Sequence, residues 1–173
     1  MIYNSLILSH INYGLLVWGY QSSRIFKLQK KAVRILTLAK YNSHTEPIFK
    51  SLGLLKLNDI FFLRHFKFYH NFIHEKLPKY FLEIPFLANQ DIHSHYTRNC
   101  RRIHIYQVKH SFAKKCIRHS IPEIINNASA NITDKLTTHS VHGLKCFIKS
   151  KIIDEYSDTC LIHNCYICNN DNS

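Results

Sequence analysis

A chain of 173 residues with only 4 Gly and 4 Pro has few places to reverse direction. Sandwiches and barrels of many short strands need turn signals at close, regular spacing, and this sequence lacks them. Helices are therefore expected to dominate. With 46% apolar and 20% charged residues the chain is long enough to bury a core in one or two domains, which excludes disorder for most of it.

The stretch "SLILSHINYGLLVWG", residues 5–19, is apolar on nearly every side of a helical wheel. It predicts one buried helix over residues 1–19, with Ser5, Ser9 and Asn12 on a narrow polar strip and Gly14 admitting a close neighbour. Ser23 suits the cap of a second helix running to about Lys40. Its stripe would be Ile25, Leu28, Ala32, Ile35, Leu36 and Ala39, with Lys27, Lys30, Lys31 and Arg34 on the other side. "HTEPIFKSLG" predicts a short helix starting near Thr45 and stopping at Gly53. Asn58 would cap a longer one to about Glu75, burying Phe62, Phe66, Tyr69 and Ile73, with Arg64, Lys67, Asn71 and His74 opposite. Pro78 and Pro85 are expected to end regular structure.

From Asn89 to His110 the periodicity fades, which predicts a basic loop or linker with at most a short strand at residues 103–108. Helical patterning resumes over residues 111–157, interrupted at Asn126–Asn131, and a Cys-rich tail closes the chain. The expected fold class is mainly α: a helical thumb-like bundle over residues 1–88, then a looser, partly helical C-terminal region.

Lys and Arg total 23 against 11 Asp and Glu, a formal net charge of +12. Such an excess favours polyanionic partners, RNA and DNA ahead of an anionic membrane. Residues 1–19 lack a signal peptide's basic leader and cleavage site, and their polar residues interrupt them short of a spanning length, so no membrane insertion or secretion is expected. Six Cys without a secretory signal fit free thiols or metal ligands in an intracellular setting, nuclear or cytoplasmic.

Four segments in order, "SLILSHINYGLLVWG", "KLQKKAVRIL", "HTEPIFKSLGLLKLNDI" and "HYTR", resemble the region after the palm in reverse transcriptases of non-LTR retrotransposons, the jockey-like and CR1-like group. The positions that carry the likeness are Ser5, Leu6, Ile7, Tyr13, Gly14, Trp18, Gly19, Leu28, Gln29, Ala32 and Arg34. The resemblance covers residues 1–100 best and implies a thumb that clamps RNA template and growing DNA. It also implies that residues 1–19 pack against a palm domain preceding them, so the chain is expected to be the end of something longer. An apolar face of that kind, left bare, would associate with another chain. The family's palm carries two adjacent Asp that hold magnesium. This sequence has no Asp-Asp pair, and its only adjacent acids, Asp154 and Glu155, read as a solvated helix end. No polymerase activity is expected of the chain alone, and magnesium is implied only for the palm.

Two surfaces are candidates for nucleic acid. Lys27, Gln29, Lys30, Lys31 and Arg34 fit phosphate contact by the second helix, and equally a solvated face in which Arg34 pairs with Glu46. Arg98, Arg101 and Arg102, with Tyr96 and Tyr106, fit backbone contact and stacking on single-stranded bases, and equally a flexible linker. Cys160, His163, Cys165 and Cys168 have residue types that suit zinc, although the single residue between His163 and Cys165 is short for a ligand loop. No other cofactor is expected. His70 and His74, four residues apart, read as a polar helix face rather than metal ligands. Two rival readings stand beside the nucleic-acid one: a small helical protein-interaction module, and a metal-binding module built on the tail.

Overall fold

The computed structural model describes residues 2–19, 23–84, 86–111 and 113–158. The fold is mainly α: α1 (Ser9–Asn12), α2 (Leu15–Trp18), α3 (Ser23–Leu36), α4 (Thr45–Ser51), α5 (Leu57–Ile73), α6 (Lys79–Leu82), α7 (Asn89–Ile92), α8 (Ile117–Asn126), α9 (Ala130–Thr138) and α10 (Val141–Asp154). The only pairing of strand type among the described residues is an isolated antiparallel bridge between Ala88 and Ile103, in place of the short strand expected at 103–108. The chain forms two compact units. The described residues of Met1–Phe61 and Phe147–Ser173 make the first, and those of Phe62–Cys146 the second. The expected linker at 89–110 thus falls inside the second unit.

In the first unit, the opening stretch is broken rather than a single helix. A π-helical segment, Tyr3–Leu8, leads into α1, and the chain then turns at Gly14, whose φ of 63° lies in the left-handed region that glycine adopts without a Cβ penalty. Tyr3, Ile11 and Leu15 are buried, whereas Ile2, Leu6, Tyr13 and Val17 are exposed.

Helix α3 turns a different face inward from the one its apolar stripe predicts. Gln29 and Val33 are buried, while Leu28 is 65% and Ile35 63% exposed. The reason is what lies opposite: α3 packs on the Tyr3–Leu8 segment and on α4, and the core there is Tyr3, Val33, Phe49 and Tyr156, with Phe26, Ile48, Ile152 and Ile153 against it. The helix also stops earlier than expected. Leu38 adopts a φ of 54°, and the amides of Leu38 and Ala39 return to the carbonyls of Ile35 (3.2 Å) and Arg34 (3.0 Å), a Schellman closure normally built on glycine. Helix α4 ends the same way on Gly53, as its sequence predicts: the Gly53 amide bonds Lys50 O at 3.0 Å and the Leu54 amide Phe49 O at 2.9 Å.

Helix α5 begins at Leu57, and Asn58 lies inside it rather than capping it. One of the orphan amides of its first turn, Leu57 N–H, is taken by Gln29 Oε1 at 2.9 Å. The preceding Lys56 N–H donates to Tyr156 Oη at 3.0 Å. Both acceptors come from remote parts of the chain.

In the second unit, α6 and α7 are single-turn helices beyond Pro78, where the sequence predicts no regular structure. Phe68 meets Phe81 edge-on at 5.6 Å, and Tyr69 and Phe72 converge on Phe86 at 5.9 and 4.8 Å. The expected α5 stripe is only partly inside: Phe66 is buried, but Phe62 and Ile73 are exposed. Two histidines take buried positions instead. His65 Nε2 lies 3.0 Å from Ser120 Oγ, and His70 Nε2 donates to the carbonyl of His139 at 2.8 Å. His74 Nε2 reaches Leu136 O at 3.3 Å. His70 and His74 thus serve the carbonyl end of α9, where a helix leaves acceptors without partners. Only His74 keeps an exposed position.

Candidate nucleic-acid interface

On the first unit the five expected α3 residues separate by role. Lys27 and Lys31 are exposed, one turn apart. Lys30 is half-buried with its ammonium 4.4 Å from the Phe26 ring centre, and Arg34 Nε donates to Ser43 O at 2.8 Å. Glu46 does not pair with Arg34: its carboxylate is 2.8 Å from Lys56 Nζ. Gln29 is 1% exposed, and although it lies at the wall of a groove, its amide is engaged within the fold. Its Nε2 donates to Tyr3 Oη (2.7 Å) and Leu55 O (3.0 Å) while its Oε1 holds Leu57 N–H, so its amide is a buried joint between three segments. The expectation that Gln29 contacts nucleic acid is corrected on that ground.

Around this helix the surface is apolar as well as basic. A groove of about 340 Å³ is lined by Leu6, Ile7, His10, Ile11, Leu28 and Ala32. A second, of about 400 Å³, lies along Lys31, Arg34, Ile35, Leu38 and Tyr41. Leu38 is 93% exposed.

Beside Glu46 sits a cluster that anchors the end of the unit. The Tyr156 phenol donates to the Asp59 carboxylate, and Lys56 Nζ lies 4.2 Å over the Tyr156 ring. Burial pushes the Asp59 carboxyl above the usual carboxylate range, against the favourable bond from Tyr156. Burial likewise raises the Tyr156 phenol, which stays protonated and available as a donor. Glu46 goes the other way, held below its usual range by the hydrogen bond from Lys56. Asp154 and Glu155 are both exposed at the end of α10, as a solvated helix end would be.

On the second unit, Arg98, Arg101 and Arg102 are all exposed, and Tyr96 is 87% exposed. Their loop is pinned at its base rather than a free linker. Asn89 N–H donates to Arg102 O (2.9 Å), Asn89 Nδ2 to Asn99 O (2.9 Å), and Asn126 bonds both the amide and the carbonyl of Ile103 (3.0 and 2.7 Å). Sequence reading names Tyr106 only as a neighbour and misses its partners. The Arg118 guanidinium from α8 lies 4.6 Å over the Tyr106 ring, His104 meets that ring edge-on at 4.8 Å, and His93 is 5.7 Å from His104. A signal was present: no Asp or Glu occurs between Asp91 and Glu123, while seven residues in that interval are Lys or Arg.

Cys160, His163, Cys165 and Cys168 lie outside the described residues. Among the described residues no group of three His, Cys, Asp or Glu is placed to hold a metal ion, and no helix is long and apolar enough to cross a membrane. No protein-family model matches the chain, and comparison with curated proteins and with solved structures returns no match.

Proposed function

We propose that the chain is the thumb and post-thumb region of a non-LTR retrotransposon reverse transcriptase, gripping the backbone of a template–primer duplex without performing the chemistry itself. The observation that carries this reading is α3. It holds Arg24, Lys27, Lys30, Lys31 and Arg34 with no acidic residue, and among the described residues Lys27 and Lys31 form no ion pair although like charges one turn apart repel. Phosphate neutralises that repulsion and releases counterions. The order of the family-like segments along the chain supports the same conclusion.

The test is binding of an RNA–DNA hybrid by the full chain across a salt series, read by fluorescence anisotropy. Affinity should fall steeply with salt, and a Lys27→Gln, Lys31→Gln variant should bind more weakly with a salt slope shallower by about 2. Absence of binding at low salt, or an unchanged slope, overturns the proposal.

A second reading rests on the exposed apolar residues Ile2, Leu6, Leu28 and Ile35. Leu6 and Leu28 line one groove, which suits a partner domain against residues 1–19, in the family's terms the palm. Self-association that persists in high salt and is abolished by Leu6→Glu with Leu28→Glu supports this; a monomer at all concentrations refutes it.

A further inference from the structure

We infer that Tyr106, Arg118 and His104 on the second unit form a stacking site for an unpaired nucleobase, a ligand distinct from the duplex backbone assigned to α3. The geometry is a layered one. Arg118, from α8, lays its guanidinium 4.6 Å over the Tyr106 ring, and Arg118 is an exposed residue, so a third flat group would stack on the side of the guanidinium away from the ring. A nucleobase completes the order ring, guanidinium, base, gaining both stacking and cation–π attraction. His104 supports the Tyr106 ring edge-on at 4.8 Å.

The site is ordered before any ligand arrives. His104 Nδ1 is 3.0 Å from Asn89 Oδ1, an acceptor whose own amide nitrogen is committed to Asn99 O, so Nδ1 carries the proton. In the neutral ring Nε2 is then the acceptor, able to take a hydrogen bond from an exocyclic amine or ring N–H of a base. The backbone at His104 is tied to Leu87 O by its amide at 2.8 Å, and its neighbour Ile103 is held by Asn126. Fixing these side chains and backbone beforehand lowers the ordering cost of binding.

Charge selects the ligand class. Arg101 and Arg102 are exposed in the loop leading to His104, and the stretch of sequence that carries the site, residues 92–122, holds seven Lys or Arg and no acid, a balance that favours polyanionic chains. An acidic peptide would satisfy the charges but leave the stacked rings without a flat partner. In a duplex the base faces are covered by their neighbours, so a surface stack of this kind takes single-stranded nucleic acid.

The inference rests on the preceding reading only for the class of ligand, and the experiment separates the two. The full chain is titrated with twelve-nucleotide oligo(dT) and oligo(U), whose bases stack little on one another, and with an RNA–DNA hybrid. Arg118→Lys keeps the charge and removes the flat layer; Tyr106→Leu removes the ring beneath it. Each should weaken single-strand binding by about tenfold with the salt slope unchanged, and leave hybrid binding intact. A preference for oligo(U) over oligo(dT) assigns the ligand to RNA, and equal binding assigns it to either strand chemistry. Arg118→Lys binding single strands as tightly as the parent overturns the inference, as does equal loss of hybrid and single-strand binding, which would make the pair a structural support. If the parent binds single strands but not the hybrid, the stacking site stands and the backbone grip of α3 falls.

Discussion

Gln29 Nε2 donates to Tyr3 Oη across 2.7 Å, joining the opening segment of the chain to α3 inside the core of the first unit. The same amide closes the N-terminus of α5 through Leu57 N–H. Replacing Gln29 by Leu conserves volume but strands a buried amide, a carbonyl and a phenol. Loss of about 2–4 kcal/mol of stability is expected, measured as a lower urea midpoint with unchanged m-value. Nucleic-acid affinity of the folded fraction should not change, since the Gln29 amide is committed to Tyr3, Leu55 and Leu57.

Two carboxylates give opposing pH dependences. Asp59, raised by burial, contributes stability that is fully present below the ordinary carboxylate range and is lost as pH rises through its elevated pKa. Glu46, lowered by Lys56, contributes stability present above that range and lost as pH falls through its depressed pKa. Thermal midpoints from pH 3 to 7 should therefore show Asp59→Asn removing the decline on the rising side. Glu46→Gln should instead flatten the loss on the acid side. The amide introduced by Asp59→Asn retains an oxygen to accept from Tyr156, so the substitution should not disrupt the anchor.

Gly19 is held close to Phe61: a Cβ placed there would sit 2.5 Å from Phe61 Cδ2 and 2.9 Å from Leu15 Cδ1. Gly19→Ala should cost about 1–3 kcal/mol through overpacking. Phe61→Leu in the same chain should recover part of that loss, so that a double-mutant cycle shows coupling between the two sites. Additive effects would show that the contact is not what constrains Gly19.

Leu38 occupies a left-handed position in solvent, at the closure of α3. Leu38→Gly should raise stability by about 0.5–1 kcal/mol by relieving the Cβ clash at that φ, partly offset by a looser unfolded chain. The urea midpoint reads this directly. A fall in stability would mean that the exposed Leu38 side chain makes a contact worth more than the strain.

The helical class and the stop of α4 at Gly53 were legible because they follow from local rules, periodicity and the left-handed glycine closure; α4 does start at Thr45, but with no side-chain cap at His44 before it. The inward face of α3 was not. Its best apolar stripe includes Leu28 and Ile35, but burial follows the neighbours, and those neighbours meet Phe26, Gln29 and Val33. The start of α5 was missed for a related reason: its first amide is satisfied by Gln29, from far along the chain, which no local cap pattern reports. Of the candidate basic residues, Lys27, Lys31 and the three loop arginines are exposed as expected. Gln29 takes a packing role, and Arg118 was overlooked because only the fold carries it to Tyr106.

The first unit is assembled from two separated stretches, and Tyr156 from the later one completes the core around Tyr3, Val33 and Phe49. On a ribosome the intervening residues, being contiguous, can reach their native contacts while the earlier stretch still waits for its missing piece. That delay would leave greasy nascent chain uncovered until position 156 has been made, so this half is expected to be the later of the two to fold.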